Sequence, residues 1–139
     1  MAHFLEHLFA HQVPRALAEF RRVLRASGFA CIIVPDLQAI ANWIANDQLQ
    51  ETIYQSAAGP VTAHDMLWGF GPAIAAGKTA MAHHCGFTPS WFLHYLKEAG
   101  FPEIVLRRSR SRLELAALAF EKPFRDSQQR EMLMAALGL

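Results

Sequence analysis

Cysteine is scarce in this sequence: only Cys31 and Cys85 occur. Two thiols cannot build a disulfide framework, which excludes the small disulfide-stapled secreted folds and leads us to expect a reducing, cytoplasmic setting. No apolar run reaches the roughly 18 residues of a membrane span, and no cationic segment followed by an apolar core opens the chain. Neither a membrane partner nor a secretory leader is therefore expected. An excess of one charge is missing too. With 13 Lys and Arg against 12 Asp and Glu, there is no electrostatic case for nucleic acid or anionic lipid as a general partner. No fixed-period repeat is present, which excludes a solenoid. Two catalytic signatures are also absent: no H-E-x-x-H occurs, and neither G-x-G-x-x-G nor G-x-G-x-G.

What is present reads as one packed domain over 1–139. Hydrophobic residues make up 53% and charged residues 18%, a balance that favours a buried core over disorder. The clearest helix is 13–26, where Val13, Leu17, Phe20 and Leu24 recur at helical spacing opposite Arg15, Glu19, Arg22 and Arg25. Pro14 suits its first turn and Ser27-Gly28 its end. FACIIV at 29–34 is an unbroken apolar run rich in β-branched residues, expected to be a strand buried on both faces. Pro35 ends it, and Asp36 can cap a helix with Leu37, Ile40, Ala41 and Ile44 facing inward. From 47 to 86 the periodicity blurs. Gly59-Pro60, Gly69, Gly71-Pro72 and Gly77 interrupt it, and only short helical turns at 63–68 and 72–77 are expected within this irregular excursion. Thr88-Pro89 then opens a helix through Phe92, Leu93, Leu96 and Ala99, ended by Gly100. Two strands at 103–109 and 113–120, joined through Arg110-Ser111-Arg112, form an antiparallel hairpin. A last amphipathic helix within 123–139 is expected from Asp126 to Leu137, through Met132, Leu133 and Ala136. The order of elements is an α/β pattern ending in an antiparallel pair.

Histidines stand out against this background. In MAHFLEHLFAH, His3, His7 and His11 are spaced i, i+4, i+8, but the drift of about 40° per step on a helix keeps all three from converging on one ion. In His83-His84-Cys85 adjacent side chains diverge, whatever the backbone. Neither triplet is read as a metal site. Cys85 has no identifiable base and is not read as a nucleophile. Arg107, Arg108, Arg110 and Arg112 lack the interleaved aromatics of a nucleic-acid surface and read as a guard on a sheet edge. Trp43, Tyr54, Trp68 and Trp91 either line a pocket or cover the core.

LEHL at 5–8, followed by ALAEFRRVLRASGFACIIVPDLQAI at 16–40, resembles the later half of class I S-adenosylmethionine-dependent methyltransferases. AAGPVTAHDMLWG at 57–69 and MAHHCGFTPSWFLHYLKEAGF at 81–101 are similar to the further excursion and helix of a bacterial subgroup of that family. The resemblance implies a partial Rossmann-like sheet, made of the family's strands 5, 7 and 6 with a remnant of strand 4, with the seventh strand antiparallel between the fifth and sixth. It implies S-adenosylmethionine as cofactor, with His3, Glu6 and His7 on the cofactor side, and His64, Trp68, His83 and His84 on the substrate side. It names no catalytic residue and no substrate. The family grips its nucleoside with a glycine-rich turn and an acidic ribose ligand, and neither has a counterpart here. The chain is therefore expected to be a half-domain that binds the cofactor weakly or not at all by itself. The alternative is a non-enzymatic binding or dimerisation module descended from such an enzyme. Either way, an open edge on strand 29–34 implies a homodimer, in which that strand pairs with its copy or with Met1–Leu5, or helix 13–26 packs across the gap.

Overall fold

The apolar run after Gly28 becomes the central strand of a four-stranded sheet. In this computed structural model, which describes residues 2–123 and 127–136, β2 (Phe29–Pro35) lies between β1 (Ala2–His3) and β6 (Glu114–Phe120), and β5 (Glu103–Ser109) closes the order β1-β2-β6-β5. The β1–β2 pair is parallel, Ala2 opposite Ile32 and His3 opposite Ile33. The other two pairs are antiparallel, with Ile32 opposite Ala117 and Pro35 opposite Glu114, and Leu106 opposite Ala117. The last strand thus lies between β2 and the strand that precedes it in the chain.

Alternation along β2 and β6 sends Ile32, Val34, Leu115, Ala117 and Ala119 to one face. There they join Val13 and Leu17 of α1 (Val13–Val23) and Phe92 and Leu96 of α5 (Pro89–Glu98) in the main core. The opposite face carries a smaller cluster of Val105, Leu118 and Phe120 with Phe29 and Cys31 against it. All seven residues of β6 are buried, whereas in β2 burial begins at Ile32. The expectation of burial along the whole of 29–34 therefore holds for its second half only.

α1 ends three residues earlier than its periodicity suggests, because Leu24 turns to extended backbone with ψ 141°. The helix after Asp36 is α2 (Leu37–Ala45), with Asp36 capping it as expected. Its inward face differs, however: Ile40 is buried, Leu37, Ala39 and Trp43 pack beside it, and Ala41 and Ile44 face solvent. The reason is a hairpin that the glycines obscure, β3 (Thr52–Ser56) with β4 (Gly59–Thr62). Together with α3 (Ala63–Trp68), it gathers Val61, Ala63 and Met66 around Ile40 and Leu113. α4 (Gly71–Ala75) and α6 (Ser127–Ala136) complete the elements. Asp126 and Leu137, expected at the ends of that last helix, lie outside the described residues. Among the described residues, no helix is long and apolar enough to cross a membrane.

Candidate functional site

Three ends meet at one rim of the sheet. β1 finishes at His3, β2 finishes at Pro35, and β6 begins at Glu114 directly opposite Pro35. The chain leaves β1 in a 3-10 turn over Leu5–His7, which anchors the fully buried Leu5 in the core and carries Glu6 inward to 1% exposure. Histidines four apart stack only on an α-helix, so the 3-10 turn separates His3 from His7 and leaves His11 outside, exposed and stacked against Phe9.

The segment before Phe87 runs along this turn and is stitched to it. His84 and Cys85 donate backbone N–H groups to the Glu6 carbonyl at 2.8 and 3.3 Å. The Cys85 thiol donates to the Leu5 carbonyl at 3.2 Å. Burial, with the nearby Glu6, pushes that thiol up to about 11, so the group is a hydrogen-bond donor and not a nucleophile at neutral pH. The helix end behind this segment is equally constrained. Gly69 has φ 97°, and a Cβ there would run onto the Met81 carbonyl, so only glycine lets α3 end against residues 81–82.

The result is a cavity of about 300 Å³ walled by His3, Glu6, His7, His83, Tyr54 and Glu114, among others. His3 Nδ1 donates to Glu6 Oε1 at 3.3 Å, and its Nε2 lies 3.7 Å from Glu114 Oε1. The hydrogen bond to Glu6 raises the His3 pKa, against the opposing effect of burial, and the charges of Glu6 and Glu114 add to it. Burial also pushes the Glu114 carboxyl up, although Arg112, 3.3 Å from Oε2, and His3 pull the other way. Arg112 in turn lies 4.6 Å over the Tyr54 ring, whose hydroxyl is shifted up, chiefly by burial. Glu6 Oε2 and Glu114 Oε1 are buried without a hydrogen-bond partner. An unsatisfied buried acceptor costs about 1–3 kcal/mol, so each of these oxygens can accept a donor or a cation that enters the cavity.

The far wall rests on Asp65. Its Oδ2 accepts from Thr62 N at 3.0 Å and Thr62 Oγ1 at 2.8 Å, and its Oδ1 accepts from Gly71 N at 2.9 Å. Burial works to raise this carboxyl, but those hydrogen bonds outweigh it and hold the pKa below 3.8. A depressed carboxyl stabilises the fold above its unfolded pKa and loses that contribution as pH falls through the folded value. Asp65→Ala is therefore expected to destabilise by about 1 kcal/mol at pH 7, the usual worth of a side chain in a helix-capping box. In chemical denaturation at stepped pH, the gap from wild type should shrink below the unfolded pKa of 3.8.

Of the residues expected at the site, His3, Glu6, His7 and His83 are brought together, and His64, Trp68 and His84 are not among the cavity walls. His84 is exposed and stacks on Phe9 at 4.5 Å. Trp68 is exposed at the end of α3, and His64 is half-buried in that helix. Tyr54, one of the aromatics that could line a pocket, does line it, whereas Glu114 and Asp65 escaped the sequence reading and Arg112 was read only as an edge guard. The one signal for them was Glu114, an acid inside the apolar run LELAALAF. The arginines also do more than guard an edge, since Arg108 pairs with Asp36 and Arg112 with Glu114. No protein-family model, no curated protein and no solved structure matches this chain.

Proposed function

We propose that this chain is the acceptor-side half of a class I methyltransferase-type domain, and that the cavity receives the small molecule that is to be methylated. The observation that carries the reading is the position of buried Glu6 and Glu114, with His3 between them, at the carboxyl ends of the parallel pair β1–β2. Open α/β sheets hold their ligands at that rim. The order β1-β2-β6-β5, with the last strand antiparallel between its neighbours, supports it further, since a methyltransferase sheet carries its fourth, fifth, seventh and sixth strands so. The residues do not fit the nucleoside end of S-adenosylmethionine, because no glycine is among the cavity walls to let backbone approach it, and no glycine-rich turn occurs in the sequence. Their part is to bind the acceptor and take its proton. Glu114 Oε1 accepts no hydrogen bond, His3 Nε2 standing off at 3.7 Å, and burial makes its carboxyl hold a proton more readily than usual, which suits a general base. Glu6 orients His3 beside it.

Titration with S-adenosylhomocysteine, followed on backbone amides by nuclear magnetic resonance, tests this. We expect binding weaker than about 100 µM, that is, less favourable than about −5.5 kcal/mol, with shifts confined to residues 3–7 and their neighbours in the cavity. No shift there at millimolar ligand would sink the placing of His3, Glu6 and His7 on the cofactor side. Tight binding would sink the half-domain part of the reading.

A second reading, a dimerisation module, is favoured by the short β1. Its two residues pair with Ile32 and Ile33, so among the described residues no strand pairs with residues 29–31 on that side, and they are half-buried. An open apolar edge is a template for pairing, with a second copy or across α1. Light scattering at micromolar concentration is expected to give the mass of two chains; a stable, well-folded monomer would count against this arrangement.

A further inference from the structure

Glu6, His7 and His83 come from chain segments some 75 residues apart, yet one ligand atom from each lies within 4.8 Å of the other two. Among the described residues, no other three His, Cys, Asp or Glu groups converge in this way. Proximity alone is common, but three further features of these side chains point to an ion. His7 Nδ1 donates to the Ala82 carbonyl at 3.1 Å. His83 Nδ1 donates to the Met66 carbonyl at 3.0 Å. A carbonyl only accepts, so each Nδ1 carries a proton, and in the neutral ring that ion binding selects each Nε2 offers its lone pair. This is the outer-shell arrangement by which metal-binding histidines are held in one tautomer and orientation. Third, Glu6 is 1% exposed and its Oε2 has no hydrogen-bond partner, while Oε1 is occupied by His3. One carboxylate oxygen is thus reserved, buried, in the same cavity wall.

We propose that Glu6 Oε2, His7 Nε2 and His83 Nε2 bind one first-row divalent transition-metal ion, zinc foremost, with a coordination position left open to the cavity. Two imidazoles and one carboxylate are borderline ligands that suit zinc, iron or manganese, whereas calcium and magnesium take oxygen ligands. Zinc holds such atoms at about 2.0–2.2 Å, so tetrahedral ligands lie about 3.4 Å apart, a contraction that side-chain rotation supplies. Structural zinc sites are closed by four protein ligands, and sites with three keep a place for water or substrate. The ion here would present that place to a space lined by Tyr54 and Met66. There it would take an oxygen or nitrogen atom of a small molecule and make it more acidic. The site does not rest on the methyltransferase reading, and either can fail while the other stands.

The test is calorimetric titration of the chelator-treated full chain with zinc chloride, with nitrogen resonances of the histidine rings recorded alongside. We expect one ion per chain at micromolar Kd or tighter, and movement of Nε2 in His7 and His83 while their Nδ1 protons remain. Glu6→Gln and His83→Ala should each weaken binding by at least the roughly 100-fold that loss of an outer-shell partner alone can cost, and His11→Ala should leave it unchanged. Zinc should raise the melting temperature of wild type and not of Glu6→Gln, and His83→Asn replaces the alanine variant if that one does not fold. Zinc should also bind more tightly than manganese, as imidazole ligands require. The assignment is overturned by the absence of stoichiometric binding, by affinity that survives both Glu6→Gln and the His83 change, by shifts confined to other histidines, or by manganese binding more tightly than zinc.

Discussion

Phe87→Ala is expected to remove about 3–5 kcal/mol of stability, the usual cost of emptying a buried phenylalanine site. The ring is 1% exposed and lies 5.4 Å from Phe92 and 6.1 Å from Tyr95, centroid to centroid. Two neighbours limit how far the hole can close. The Phe87 carbonyl accepts from Leu37 N at 2.9 Å, which pins the backbone to the start of α2. Gly86 is packed under the Leu37 side chain, so the segment has little room to shift inward. A domain of this size holds about 5–15 kcal/mol in total, and the variant keeps only a fraction of that. Urea denaturation should show a lower midpoint with an unchanged slope. The loss should also reach the cavity, because Phe87 is the anchor of the segment that carries His83 and Cys85. Amide exchange at His84 and Cys85, whose N–H groups bind the Glu6 carbonyl, should quicken more than exchange in β5. A loss below about 1 kcal/mol would mean that the segment is held by its backbone bonds and not by its aromatic anchor.

Elements whose cause is local could be read from the sequence. The stripe through Val13 and Leu17, the cap at Asp36, the Thr88-Pro89 start and the hairpin at the end each depend on residues a few positions apart, and each is present. The cavity was only half legible because its walls meet through the sheet. Glu6 could be suspected from its place after β1. That Glu114 would face it depends on β6 pairing with β2 in the register that sets Glu114 opposite Pro35, and no spacing in the sequence encodes that register. The choice between His83 and His84 was equally hidden. Neighbouring residues in extended chain point apart, and which one turns inward was decided by the Met66 and Trp68 carbonyls, which take the side-chain and backbone N–H of His83. Ala41 and Ile44 misled for the opposite reason. Their helical spacing is correct, but the unforeseen β3–β4 hairpin drew Ile40 and Trp43 inward instead.

The two buried acids at the rim also say what the fold spends its stability on. Glu6 and Glu114 each leave an oxygen buried and unmatched, and His3 between them is 45% exposed and so shields them incompletely. Asp36, on the same rim, is 2% exposed, yet both of its carboxylate oxygens are matched. The contrast separates a carboxylate satisfied by its own fold from two that each keep an oxygen able to accept a further donor.

Asp36→Ala should accordingly cost about 2.5–4 kcal/mol, the sum of an N-cap worth about 1 and a charge-assisted hydrogen bond worth about 1.5–3. Oδ1 accepts from Gln38 N at 3.1 Å and Ala39 N at 3.2 Å, and Oδ2 accepts from Arg108 Nε at 2.7 Å. Arg108 is 46% exposed, so solvent screens the pair and keeps its share at the low end of that range. Conservative variants separate the two parts. An asparagine side chain would still cap α2, so Asp36→Asn should lose only the ionic part, about 1.5 kcal/mol. Arg108→Ala should cost about as much, because the Asp36 charge it leaves behind keeps two backbone donors. Combined with Asp36→Asn it should add almost nothing, which a double-mutant cycle measures directly. If Asp36→Ala and Asp36→Asn were equally damaging, the cap would be idle, and the tie between β5 and the start of α2 through Arg108 would be the sole reason for an acid at this position.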